Sequence, residues 1–185
     1  MQFSRRSLTA FAFVMLAPAT LLAGEPVKFS PIKFDALKKH LAENPAKAKF
    51  TIIDAWASNC GPCKENFPHL VKMNEKYGPK GLAVISLSLD DIDDKAALKA
   101  AEDFLKKKNA TFANYYIDEE FGAGFEKLDI SAIPAVFLFG PDGKEIRRFT
   151  MDDPDNQFTY DDVEKAVEAI LDGKPLPPEK TAKAK

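Results

Sequence analysis

The stretch Phe50-Thr51-Ile52-Ile53-Asp54-Ala55-Trp56-Ala57-Ser58-Asn59-Cys60-Gly61-Pro62-Cys63 contains both cysteines of the 185-residue chain. Residues 50–56 read as a buried strand. Cys60 to Tyr77 reads as a helix with Pro68 inside it, closed by Gly78-Pro79. Two cysteines therefore stand two residues apart where a strand gives way to a helix. That spacing lets the second thiol reach a sulfur bonded to the first, so a disulfide there can open and close. Unpaired N–H groups and the dipole at the helix start favour Cys60 as a thiolate. A thiol with pKa about 8.5 is only about 3% ionised at pH 7, whereas one near 7 is half ionised. Lower intrinsic nucleophilicity offsets part of that gain. Cys63, one turn into the helix, is placed as a shielded resolving thiol.

Blander readings of the pair are weaker. A structural disulfide across two residues closes too small a loop to restrict the unfolded chain much. Zinc needs four ligands, and His40 and His69 do not stand at finger spacing. Copper would use soft thiolates, but no Met or His cluster accompanies them. Asp54, a carboxyl in an apolar strand, should have a pKa raised by desolvation. The competing reading puts it at a strand end in water.

Outward from this stretch, helices and strands alternate. Phe34 to Glu43 predicts a short amphipathic helix through Leu37 and Leu41. Leu82 to Leu89 predicts a strand and Lys95 to Lys108 a helix with Leu98, Ala101, Phe104 and Leu105 along one face. Tyr115 to Ile117 reads as a short strand and Glu119 to Lys127 as a short helix. Ala135 to Phe139 and Lys144 to Thr150 flank the turn signal Gly140-Pro141-Asp142-Gly143 and form a hairpin. Asp161 to Leu171 supplies a last amphipathic helix. The alternation argues for an α/β fold whose sheet is covered on both faces and closed by an antiparallel hairpin.

Residues 50–63 resemble the active-site stretch of thioredoxins. The longer pattern resembles the exported TlpA/ResA-type thiol–disulfide oxidoreductases, through Lys64, Phe67, Pro68, Leu89-Asp90 and Ile133-Pro134-Ala135-Val136-Phe137-Leu138-Phe139-Gly140-Pro141-Asp142-Gly143. The resemblance covers residues 30–172. It implies a thioredoxin fold: a central mixed sheet, helices on both faces, and a TlpA-type helix–strand insertion over Asp93 to Ile117. It further implies a cis Ile133–Pro134 bond packed against the cysteines, with Trp56, Ile133 and Pro134 binding substrate. Asp54 matches the thioredoxin aspartate that takes the resolving cysteine's proton. Catalysis would fall to Cys60, Cys63 and Asp54. Protein disulfides or dithiols would be the substrates, a membrane electron donor the reductant, and the chain a monomer.

Gly61-Pro62 resembles the dipeptide of reducing thioredoxins, yet potentials in this class run from about −270 to −120 mV. An oxidising member, or a non-catalytic binding module with a closed disulfide, is the alternative. Two departures limit the carry-over. Asn59 replaces the usual tryptophan, and Asn66 stands where ResA-type chains carry a glutamate, the acid here being Glu65. The second makes Asp54 the better candidate for handling protons.

The ends of the chain read differently. Residues 1–23 carry Arg5 and Arg6, then an apolar run to Ala23, the order of a secretory signal. Ser4-Arg5-Arg6-Ser7-Leu8 resembles a twin-arginine signal, so an exported, periplasmic or extracytoplasmic protein is expected. The competing membrane anchor would rise about 24 Å against a hydrocarbon core of about 30 Å. Residues 24–172 are the expected domain. Residues 173–185, rich in Lys and Pro, are expected to be a disordered tail.

A formal charge of −2 gives no general attraction for nucleic acid. No nicotinamide or flavin fingerprint is present, and neither cofactor nor metal is expected. The acids at Asp90, Asp91, Asp93 and Asp94 read as helix-start residues. Asp152, Asp153 and Asp155 read as a solvated loop, and His69 as a surface residue.

Overall fold

The computed structural model describes residues 26–179. In chain order they form β1 (Ser30–Ile32), α1 (Phe34–Glu43), β2 (Phe50–Trp56), α2 (Gly61–Tyr77), β3 (Leu82–Ser88), α3 (Lys95–Lys107), β4 (Ala113–Ile117), α4 (Ala123–Leu128), β5 (Ala135–Phe139), β6 (Glu145–Phe149) and α5 (Tyr160–Leu171). The expected signal segment lies outside the described residues.

The sheet order is β1-β4-β3-β2-β5-β6. The first four strands are mutually parallel, and β5 and β6 close the sheet antiparallel. β2 is buried along its whole length, because strands flank it on both edges and helices cover both faces. Alternation along β2 sends Phe50, Ile52 and Trp56 to one face, with residues of α2, α3 and α5. Ile53 and Ala55 go to the other, with α1 and α4. α3 and β4 occupy the expected insertion between β3 and α4.

Most elements keep their expected bounds within a few residues. β1, which the sequence reading lacked, pairs with β4 alone at the sheet edge. α4 starts at Ala123 instead of Glu119, because the N-cap Gly122 takes φ 90°, outside the helical range, and the Glu119 side chain instead accepts from the Phe34 N–H and pairs with Lys127. The expected turn is present: Gly143 takes φ 74°, where a Cβ would come within 2.7 Å of the Ala42 backbone nitrogen.

Polar groups cross this interior in register. Asp54 on β2 sits beside Ser86 on β3, which sits beside Asn114 on β4. Ser86 Oγ donates to Asn114 Oδ1 at 2.8 Å, and Asn114 Nδ2 donates to the Ala110, Phe112 and Lys28 carbonyls. Asn114 thereby ties β3 and the β4 approach to the segment before β1.

The segment after α5, expected to be disordered, is held against the fold as far as Glu179. Leu176 packs against the core, Arg147 Nη2 donates to the Pro177 carbonyl at 3.0 Å, and Arg147 Nε lies 3.4 Å from Glu179. One apolar side chain and one guanidinium on β6 provide the anchorage that composition averaged away. Among the described residues no helix is long and apolar enough to cross a membrane.

Candidate active site

The cysteine pair stands at the end of β2, on a short connection that β3 holds in place. Leu89 N–H donates to the Trp56 carbonyl at 2.8 Å, carrying the β2–β3 pairing one step past both strands. Asp90 then grips the connection. Ser58 N–H lies 3.0 Å from each Asp90 oxygen, and Ser58 Oγ donates to Oδ1 at 2.7 Å. Ser88 Oγ donates to the other oxygen at 2.7 Å. The Cys60 N–H closes the turn on the Ala57 carbonyl at 3.0 Å.

Cys60 is the N-cap of α2 and is bonded to Cys63, with an S–S distance of 2.02 Å. The Cys63 N–H points at Cys60 Sγ, 3.2 Å away, so an unpaired helix-start donor faces the outer sulfur. Pro62 in the first turn has no N–H to leave unsatisfied. Cys60 is half-buried, whereas Cys63 is 1% exposed. Asn66 Nδ2 donates to the Pro62 carbonyl at 2.9 Å, and Asn59 and Glu65 are exposed.

Ile133–Pro134 is a cis peptide, and the Ile133 carbonyl oxygen lies 3.9 Å from Cys60 Sγ. Ile133 is half-buried and Pro134 buried. Asp152 latches this loop to the exit of β6, accepting from Ser131 N–H at 2.7 Å and Ser131 Oγ at 2.6 Å.

Asp54 is 1% exposed, on the sheet face that α2 and α5 cover. Tyr160 Oη donates to its Oδ2 at 2.7 Å, while Oδ1 has no hydrogen-bond partner among the described residues. Burial raises the Asp54 pKa from 3.8 to about 7, and the Tyr160 hydrogen bond opposes part of the rise.

The structure thus brings Cys60, Cys63 and the Ile133 carbonyl together, with Pro134 joined to Ile133 by the cis bond, while Asp54 lies buried in β2 against Tyr160. Trp56 does not join them there. It is 0% exposed and packs its ring against Phe67 and Phe104, with centroids 5.4 and 5.3 Å away. The expectation that it contacts substrate is corrected: the even positions of β2 face the helix layer, and Trp56 becomes a wall of the core.

Sequence reading missed Asp90, Asp152 and Tyr160 as supports. Their partners lie 32, 21 and 106 residues away, beyond the reach of local pattern. It also placed His69 at the surface, whereas the ring is half-buried with its centroid 5.8 Å from that of Tyr160.

The sequence model of the Redoxin family matches residues 33–170. The thiol-disulfide oxidoreductase ResA of Bacillus subtilis (strain 168) is 22% identical over 116 residues, which cover 63% of this chain and 61% of that protein. The chain therefore spans about three-fifths of that relative's length. A thioredoxin of Coprinus comatus is 36% identical over 84 residues, 44% of this chain and 76% of that one. The crystal structure of a candidate thiol:disulfide interchange protein DsbE from Chlorobium tepidum superposes with a TM-score of 0.54 and 27% identity, over 68% of this chain and 83% of that one.

Proposed function

This chain belongs to the Redoxin family and has the thioredoxin fold, and from that premise we propose that it is an exported thiol–disulfide oxidoreductase that reduces protein disulfides. The observation that carries the reading is the pair itself: an accessible Cys60 at a helix start, bonded to a buried Cys63.

In the reduced protein the Cys60 thiolate attacks one sulfur of a substrate disulfide. The substrate S–S bond breaks, a Cys60–substrate mixed disulfide forms, and the displaced thiolate takes a proton. Cys63 then loses its proton, with Asp54 as acceptor, and attacks Cys60 Sγ. The mixed disulfide breaks, the second substrate sulfur leaves as a thiolate and takes a proton, and Cys60–Cys63 is left oxidised. Two electrons pass from the protein to the substrate, so a separate reductant, a membrane electron donor, must restore the dithiol. Only the outer sulfur being accessible supports this order of events. Ile133, beside Cys60, is the substrate contact in this reading. Gly61-Pro62 supports the reducing direction, and residues 1–23 support export.

Cys63→Ser is expected to trap a mixed disulfide with the natural partner and with a model disulfide, seen as a dithiothreitol-sensitive adduct on non-reducing gels. Absence of any adduct that depends on Cys60 overturns the reading. The reduction potential of the pair, measured against glutathione, should lie near the thioredoxin end of the range, about −270 mV. A value near −120 mV reverses the direction of the reaction.

A further inference from the structure

On both flanking strands the Asp54 carboxyl meets side chains that give it nothing. Its neighbour on β3, Ser86, donates its hydroxyl proton to Asn114, and its neighbour on β5 is Val136. The sole hydrogen bond to it among the described residues comes from the far end of the chain, Tyr160 at the start of α5.

Tyr160 is itself tightly held. Thr159 and Asp162 form a capping box that fixes the first turn of α5. The phenol ring is 3% exposed, with the Phe158 ring centroid 5.7 Å away and that of His69 5.8 Å away. From these contacts we infer that Tyr160 is a positioning residue for Asp54: its hydroxyl occupies Oδ2 and leaves Oδ1 as the oxygen on which a proton is gained and lost. The inference rests on the proposed function for the meaning of that proton, but its geometry stands apart from it.

The electrostatics run the same way. The Tyr160 hydroxyl is pushed well above the usual tyrosine range by burial and by the Asp54 charge, so it remains a donor at working pH. Its hydrogen bond stabilises the carboxylate against burial. On α2 the titratable side chain against the Tyr160 ring is His69, and Cys63 is held in the disulfide of the oxidised protein. In the first turn of α5, Asp161 is exposed and Asp162 belongs to the capping box.

Tyr160→Phe keeps the ring and removes only the hydroxyl. Asp54 protonation is followed by the infrared carboxyl band of the oxidised protein, assigned by its loss in Asp54→Asn. Losing a hydrogen bond to a charged group should move the titration midpoint up by about one pH unit. At pH 7 the ionised fraction then falls about fivefold, and the rate at which Cys63 resolves a mixed disulfide falls by the same factor, recovering near pH 9.

A merely structural role would lower the melting temperature and leave the midpoint in place, and an unmoved midpoint overturns the inference. The band is read without substrate. Failure of the wild-type protein to reduce disulfides would therefore sink the proposed function, while the titration still decides the role of Tyr160.

Discussion

Asp54 is carried into the interior on a strand buried along its whole length, and burial moves its pKa from 3.8 to about 7. The folded protein therefore binds a proton that the unfolded chain has released across that interval. Stability is unpenalised below about pH 4 and falls as pH rises toward 7, by roughly 4 kcal/mol at most. Asp54→Asn should stabilise the oxidised protein at pH 8 by up to that amount and do little near pH 4. Urea unfolding at the two pH values measures it, and equal effects at both would refute the assignment. The sequence showed this residue because a lone carboxyl in an apolar run is conspicuous. It misjudged Trp56, since an aromatic beside the cysteines serves equally well as core or contact, and only the direction of the side chain separates the two.

Among elements, the β2–α2 connection illustrates how a functional loop is held. It owes its shape to Asp90 at the end of β3, which binds Ser58 through both backbone and side chain. Asp90→Ala leaves Ser58 N–H without its partner and should cost about 2–3 kcal/mol, with an unchanged m-value in urea. Thr159→Ala, which breaks the capping box of α5, should cost about 1 kcal/mol by the same measurement. Elements with a strong period were legible, and α1, α3 and α5 fall close to where hydrophobic spacing put them. β1 was not, because three residues with Pro31 among them show no alternation. Its identity comes from backbone pairing with β4.

For the molecule as a whole, the α/β class followed from alternating strands and helices around Cys60 and Cys63. The path of the chain after α5 did not follow, because its anchorage rests on two separate side chains, Leu176 in the segment and Arg147 on β6. Arg147→Ala should release residues 174–179, so that a glutamate-specific protease cleaves after Glu179 several-fold faster. An unchanged cleavage rate would mean that the guanidinium does not hold the segment.

The site joins positions 54, 60, 63, 90, 133 and 160, so it draws on nearly the whole length of the fold. Roughly a hundred residues separate Cys63 from Tyr160. At synthesis rates of about 5–20 residues per second, that interval lasts roughly 5 to 20 seconds. Through all of it a nascent chain carries both thiols without α5, and through roughly the first three-quarters of it also without the antiparallel strand β5. The two sulfurs are made early, and Tyr160, the partner of the one carboxyl buried on the strand before them, is made late, at the start of the last helix.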